Sequence, residues 1–425
     1  MPGRRLPLAE AAPRVRLPLA AEVRPSDAVR PEYVVWELTL RCDLACRHCG
    51  SRAGRARPDE LDTGEALDLV EQLAALGAEE VTIIGGEAYL RDDWHVIARA
   101  LTDAGVVVSM TTGGRNLTPE RVALAKQAGI KTVSVSIDGL ERTHDHLRAL
   151  AGSHAAALRA LRALRDAGIP RSVNTQLCGI NLREIEPLLE LIAEHEIHSW
   201  QIQITVAMGR AADHPELLLQ PWQMLELMPM VARIAERCDA LGIRLWPGSN
   251  VGYFGPYESR LRREHADAHQ RGCEAGVRSL GIEANGDIKG CPSLPTGDYV
   301  GANVREHRLR EIWQRAAALR FNRERGTEDL WGHCARCYYA SVCKAGCTWT
   351  GHVLFGRRGN NPFCHHRSLE LLDAGRRERI TLAEAAPGEP FDHGRYALIE
   401  EDWPAEALAR AQQVARSGQG WISEA

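Results

Sequence analysis

The sequence predicts an α/β fold: a partial (β/α)6 barrel of parallel strands, followed by a small cysteine-rich domain with a β-hairpin and helices. Three observations carry this prediction. Short β-branched or aromatic runs alternate with segments of helical period from residue 33 to residue 206. Every crossover between successive runs is long enough to join parallel strands. Most of the cysteines left over from that region crowd into a later stretch, 273–364.

Taken in order, the run Val34–Thr39 reads as the first strand. The segment Thr63–Leu76 carries Ala66, Leu69, Val70, Leu73 and Leu76 at helical spacing, and Gly77 stops it. Strands follow at 81–84, 106–112, 132–137, 172–177 and 199–206, with helices at 92–104, 118–128, 155–167 and 182–195 between them. The strands have two unlike faces. Val133, Val135 and Ile137 oppose Ser134, Ser136 and Asp138; Val173, Thr175 and Leu177 oppose Ser172, Asn174 and Gln176; Trp200, Ile202 and Ile204 oppose Gln201, Gln203 and Thr205. A closed barrel fills its interior with branched apolar side chains. The alternation here predicts a wide, incomplete barrel with a polar lumen that holds ligands. A helix is expected over 222–241, and Asn285-Gly286 marks a two-residue hairpin turn in the later domain.

The chain has 425 residues, 44% of them hydrophobic, enough for one large domain and smaller ones beside it. Its formal net charge is -4 with the two signs interspersed, which argues against a nucleic-acid partner. No apolar run is long enough to predict a membrane span or a secretory signal, so a cytoplasmic location is expected. There the twelve cysteines would serve metal or cluster ligation, because cytosolic thiols are kept reduced.

Directly after the first strand stand Cys42, Cys46 and Cys49, spaced C-x3-C-x2-C. Three thiolates on one short loop can converge on a soft centre and leave one iron of a cubane without a protein ligand, whereas zinc would want a fourth donor nearby. The second array runs Cys273-x12-Gly286-x4-Cys291, then Cys334-x2-Cys337-x5-Cys343-x3-Cys347, then Cys364. A zinc ribbon competes for this array, but an odd count of seven fits clusters better. Cys178 and Cys238 lie apart from both arrays and read as small buried hydrophobes.

The first cysteine loop resembles that of the radical SAM superfamily, and the second array resembles the SPASM extension of members that mature peptides and proteins. The resemblance implies a TIM-like partial barrel over 33–240, a bridging region over 241–270 and a SPASM auxiliary-cluster domain over 271–375, with an N-terminal arm over 1–32 and a polar tail over 376–425 that ends in a helix at 404–414. It also implies one [4Fe-4S] cluster on Cys42, Cys46 and Cys49, its fourth iron chelated by S-adenosylmethionine (SAM). Two auxiliary [4Fe-4S] clusters would follow, the first on Cys273, Cys291 and Cys347, the second on Cys334, Cys337, Cys343 and Cys364. The first lacks a fourth cysteine; Glu264, His265 or His269, or an open iron, would complete it.

Further SAM contacts are implied at matching positions. Gly85-Gly86-Glu87, one βα unit after the cysteine loop, would meet the methionine amino group. Ser136 and Asp138 belong to a Ser-Ile-Asp-Gly segment, and Arg148, twelve residues after Ser136, would pair with the methionine carboxylate; the competing partner for Arg148 is Asp145. Asn174 faces the lumen beside them, and His48 stands where the family often has a ring near the adenine. No catalytic acid or base is evident. Met208-Gly209-Arg210-Ala211 resembles the end of the family's sixth strand.

The activity so implied is reductive cleavage of SAM to a 5'-deoxyadenosyl radical, which abstracts hydrogen from a ribosomally made peptide and leads to a crosslink or another oxidative change. The alternatives are a sulfatase-type formylglycine maturase, a tetrapyrrole side-chain modifier and, least favoured, a non-enzymatic iron–sulfur electron carrier. An external donor such as flavodoxin or ferredoxin is expected. The arm is too short for the winged peptide-recognition domain fused to some maturases, so a separate leader-recognition protein is expected as well. The repeat of Leu8–Pro13 at Leu382–Pro387 reads as coincidence of Ala-rich composition.

Overall fold

The computed structural model describes residues 29–265 and 267–422. Most of the expected N-terminal arm, including the repeat at Leu8–Pro13, lies outside the described residues. Strands β1 (Tyr33–Glu37), β2 (Glu80–Ile84), β3 (Val107–Thr112), β4 (Thr132–Ser136), β5 (Arg171–Leu177), β6 (Ser199–Ile204) and β7 (Arg244–Pro247) are hydrogen-bonded in that order, all parallel. The seventh strand was not legible in the sequence. Arg244–Pro247 is four residues long with two polar or breaking members, too short to show a period.

The later domain joins the same sheet. β8 (Ser279–Ile282) pairs with β1 in parallel, from Tyr33 opposite Ser279 to Trp36 opposite Ile282. β9 (Asp287–Lys289) returns antiparallel to β8 around Asn285-Gly286, and β10 (Val300–Asn303) follows antiparallel to β9. Among the described residues the result is one ten-stranded sheet, β10-β9-β8-β1-β2-β3-β4-β5-β6-β7, with β10 and β7 at its two edges, an open arrangement rather than a closed barrel.

Helices cover one face of the parallel strands. A single core takes Val34 and Trp36 of β1, Val81 and Ile83 of β2, Val133 and Val135 of β4 and Trp200 and Ile202 of β6, together with Leu69, Leu101, Leu161 and Leu189 of the helices. Only one alternation of each strand enters this core, which leaves the polar alternation on the helix-free side. Thr175 is the polar exception on the apolar side, and it is satisfied: it donates to the Ile137 carbonyl at 2.6 Å and accepts from Trp200 Nε1 at 2.8 Å. The first helix, Thr63–Leu76, shows why these boundaries were readable. Asp62 and Glu65 form a capping box at its start, and Gly77, with φ 86°, closes its end.

The segment 376–425, read from sequence as a polar tail, folds over its described part. β11 (Arg376–Glu384) and β12 (Arg395–Asp402) form a separate antiparallel hairpin, and a helix follows at Ala405–Ser417. The hairpin strands are rich in Arg and Glu that pair across it, as Arg377 does with Glu401 at 2.7 Å, and those charges hide the period from a hydropathy reading. No helix among the described residues is long and apolar enough to cross a membrane.

Candidate SAM and iron–sulfur cluster sites

The loop that leaves β1 is held from three sides. Cys42 N donates to the Gly54 carbonyl at 3.0 Å and Gly54 N to the Leu40 carbonyl at 2.9 Å, which closes the loop on itself. Arg47 N reaches the Leu147 carbonyl at 2.8 Å. Arg210 binds the loop most fully, with Nε on the Cys46 carbonyl at 2.7 Å, both Nη atoms on the Ala53 carbonyl at 3.1 Å and its own N–H on the Cys49 carbonyl at 2.9 Å. The sequence had flagged Met208–Ala211 as a strand end without assigning Arg210 this role. Gly209 is obligatory beside it: φ is +59° and a Cβ would lie 2.3 Å from the Gly50 carbonyl oxygen.

Cys42, Cys46 and Cys49 carry free thiols and lie close enough that Cys46 and Cys49 disfavour the thiolate of Cys42. Burial is the larger cause, raising the Cys42 and Cys46 thiols above the ordinary range. A bound iron would reverse that cost by taking the thiolates directly.

Gly85 and Gly86 are required by contacts within the protein itself. A Cβ on Gly85 would sit 2.2 Å from the Thr39 carbonyl oxygen, and one on Gly86 2.1 Å from that of Arg41. The glycine pair thus lets the β2 turn abut the protein's own cysteine loop. Gly86 N donates to Thr39 O at 2.8 Å and Glu87 N to Arg41 O at 2.9 Å. Glu87 is buried, and its oxygens take Thr112 Oγ1 and Gly113 N, both at 2.6 Å. Burial lifts its carboxyl to about 7.

Asp138 is a buried hub. Its Oδ2 lies 2.6 Å from Arg148 Nη2 and 3.2 Å from His48 Nε2, and its Oδ1 accepts from Gln176 N at 2.9 Å. Opposing its burial, Arg148 and His48 hold its carboxyl well below the usual range. Arg148 also points Nη1 at Cys46 Sγ, 3.6 Å away. Asp145, the partner expected for Arg148 in a plain salt bridge, instead caps the next helix through Gly152 N at 2.6 Å and His154 N at 2.7 Å. Ser136 and Asn174 stand opposite each other in the β4–β5 register. Arg148 Nε, Asn174 Oδ1 and His48 Nδ1 are buried with no hydrogen-bonding partner. With Asp43 Oδ1, also buried and unpartnered in the cysteine loop, these unsatisfied polar atoms fit a polar ligand such as SAM, because buried polar groups are ordinarily paired.

The second cysteine array divides into two groups in space. Cys273 and Cys291 both bear on Cys347, whose buried thiol is raised to about 12. Cys334, Cys337, Cys343 and Cys364 line one pocket together with Tyr253, Phe254 and Tyr339. Four cysteines around one pocket fit a fully ligated cubane. Tyr253 ties the groups together, its hydroxyl accepting from Cys347 N at 3.0 Å while its carbonyl faces Cys364 Sγ at 3.7 Å. Of the expected substitutes for a fourth ligand of the first group, Glu264 is paired with Arg244 at 2.8 Å, and His269 has its ring against Phe254, which lines the second group's cavity. A lone arginine was missed from sequence: Arg325 is buried, senses Cys273, and has Nε and Nη2 without partners. Trp349 packs both among the residues around Cys42 and Cys49 and among those around Cys273 and Cys291. Cys178 and Cys238 are buried in apolar surroundings, as expected.

Comparison with known proteins gives one family match that contains the first cysteine loop and another that begins at Cys273. The radical SAM superfamily profile matches residues 36–192, and the iron–sulfur cluster-binding domain called SPASM matches residues 273–338. The AdoMet-dependent heme synthase of Methanosarcina barkeri is 31% identical over 349 residues, which are 79% of this chain and 97% of that protein. The mycofactocin maturase MftC of Mycobacterium ulcerans is 29% identical over 323 residues, 75% of this chain and 83% of the relative. Among solved structures, Streptococcus suis SuiB bound to S-adenosylmethionine superposes with a TM-score of 0.61 at 15% identity, over 76% of this chain and 74% of that one, a likeness of fold. The chain therefore belongs to the radical SAM superfamily, as a SPASM-containing enzyme whose cofactors are S-adenosylmethionine and [4Fe-4S] clusters.

Proposed function

We propose that this radical SAM enzyme modifies a ribosomally made peptide, abstracting hydrogen from an unactivated carbon and leaving a crosslink or another oxidative change. When bound, SAM and its cluster supply the 5'-deoxyadenosyl radical. Cys42, Cys46 and Cys49 would hold that cluster, while Arg148, Ser136, Asn174 and the Gly85–Glu87 turn would orient SAM. The two later cysteine groups would hold the auxiliary clusters. Flavodoxin or ferredoxin would supply electrons, and a separate protein would present the leader.

The observation that carries the peptide reading is the character of the lumen. Its strands present Thr111, Ser134, Ser136, Asn174, Gln176, Gln201 and Gln203 on the helix-free side, groups that complement peptide amides, beside Glu37 and the Arg148-paired Asp138. Arg57 is paired with Glu37 and Glu283, Lys289 with Glu283, and Arg52 with Asp213 and Asp392. A macrocycle with several carboxylates would call for unpaired cations there.

A tetrapyrrole side-chain substrate is the second reading. The named activity of the Methanosarcina barkeri relative favours it, and Arg325, with two N–H positions unpaired, could receive one carboxylate. Anaerobically reconstituted enzyme with SAM and reductant should be given, in parallel, short peptides encoded beside its coding sequence and an iron coproporphyrin. A peptide product lighter by two hydrogens per crosslink, with matching 5'-deoxyadenosine, supports the first reading. Turnover of the porphyrin alone overturns it.

A further inference from the structure

Away from the cluster cysteines, three potential metal donors converge where the cysteine-rich domain meets the β11–β12 loop. Asp298 lies in the short helix Thr296–Tyr299, His352 in the helix Thr348–Phe355 and His393 just before β12. Asp298 Oδ2 is 3.1 Å from His352 Nε2 and 3.7 Å from His393 Nε2, and one donor atom from each residue lies within 4.8 Å of the others. Metal–ligand bonds of about 2.0–2.2 Å bring cis or tetrahedral donors to about 3.0–3.6 Å from one another. The spacing found here needs only small closure.

Both rings are oriented from behind, as metal-bound imidazoles are. His393 Nδ1 is 2.8 Å from the Gly394 carbonyl, and His352 Nδ1 is 3.0 Å from the Tyr299 hydroxyl. A carbonyl only accepts, so Nδ1 of His393 carries the hydrogen, which leaves Nε2 as the atom turned toward the Asp298 carboxylate oxygen. A metal ion held between Nε2 and that oxygen would satisfy both. His352 and Tyr299 are buried, and Asp298 is exposed, which provides a path of entry.

We propose that Asp298, His352 and His393 bind one divalent transition-metal ion, zinc or ferrous iron, as a two-histidine, one-carboxylate site. Nitrogen and carboxylate donors without thiolate suit these ions, and three protein ligands leave a position for water. The ion would pin the β11–β12 loop. That loop also reaches the radical SAM region: Asp392 Oδ1 accepts from Arg52 Nε at 2.7 Å, Met208 and His393 form a β-bridge, and Phe391 packs beside Cys42 and Cys49.

The test uses Co2+ on anaerobically reconstituted protein whose clusters are loaded and whose adventitious ferrous iron and zinc have been removed with a chelator. The expected result is one tightly bound equivalent with visible d–d bands and no thiolate-to-cobalt charge transfer. Asp298→Asn and His393→Gln should each weaken it at least about a hundred-fold while cluster content, read as acid-labile sulfide, stays at the wild-type level. Asp298 is on the exposed rim, so its variant keeps the test valid if the histidine change disturbs folding. Absence of a tight equivalent, thiolate charge-transfer bands, or unchanged affinity in Asp298→Asn would overturn the proposal and leave the triad as a hydrogen-bonded clamp.

Discussion

Arg148 and Asp138 form a buried ion pair, Nη2 to Oδ2 at 2.6 Å, directly behind the cysteine loop. The pair leaves Arg148 Nε unsatisfied, so the guanidinium is anchored on one side and open on another. An anchored arginine orients a carboxylate with less entropy lost than a free one would.

Arg148→Ala should therefore weaken SAM binding by roughly ten-fold to a hundred-fold, the equivalent of about 1.5–3 kcal/mol for a charge-assisted contact. Iron content should stay unchanged. Equilibrium binding of SAM to the reconstituted variant measures this, and wild-type affinity would assign Arg148 to structure alone. In Asp138→Asn the loss should be smaller, and the double variant should bind much as Arg148→Ala does, because both changes act through one guanidinium.

Replacing Cys42, Cys46 and Cys49 together by Ala should abolish 5'-deoxyadenosine production. The auxiliary clusters should persist, visible by iron counting and electron paramagnetic resonance. Continued cleavage of SAM by the triple variant would refute the assignment of the first loop.

Gly86→Ala tests the tight turn against the cysteine loop. Its Cβ would stand 2.1 Å from the Arg41 carbonyl oxygen and 2.6 Å from Cys42 Cβ, so the loop must shift. Backbone against backbone yields little, and the cost should fall at the upper end of the roughly 1–3 kcal/mol seen for overpacking. The radical SAM cluster should be the one lost on reconstitution, with the auxiliary signals intact.

The six parallel strands, their crossovers and both cysteine arrays were legible because each rests on a local period or a fixed spacing. Thr63–Leu76 was readable from its apolar period and from Gly77, a stop signal independent of tertiary context, and the structure adds the Asp62 capping box at its start. What escaped reading depends on partners far along the chain. Ser279–Ile282 has a strand's composition, but only the structure reveals that its partner is Tyr33–Trp36. The choice of Asp138 over Asp145 by Arg148 likewise depends on where β4 ends and the following helix turns. Arg210 lay in a recognisable strand-end segment that did not give its role and Arg325 carried no motif, because an arginine's role is set by the carbonyls or thiols that folding brings to it.

The buried charge cluster that spans β1, the β8–β9 turn and β9 offers a stability test. Lys289 is almost fully buried; its Nζ is 2.6 Å from Glu283 Oε1 and 2.7 Å from the Leu294 carbonyl, while Arg57 bridges Glu283 and Glu37. Lys289→Met should destabilise the protein by about 3–5 kcal/mol, as breaking one side of a buried pair does. Lys289→Met combined with Glu283→Gln should recover much of that loss in thermal or denaturant unfolding. An additive double variant would mean that the two side chains do not share an interaction.

The parallel pairing of β8 with β1 also bears on electron flow. Tunnelling rates fall steeply with the gap between redox centres, and a hinged module could change that gap during turnover. Here the ladder from Tyr33–Ser279 to Trp36–Ile282 ties the strand leading into the first cysteine loop to the hairpin leading into Cys291. Any redox centres that those two loops hold would therefore be spaced by one hydrogen-bonded lattice rather than across a hinge.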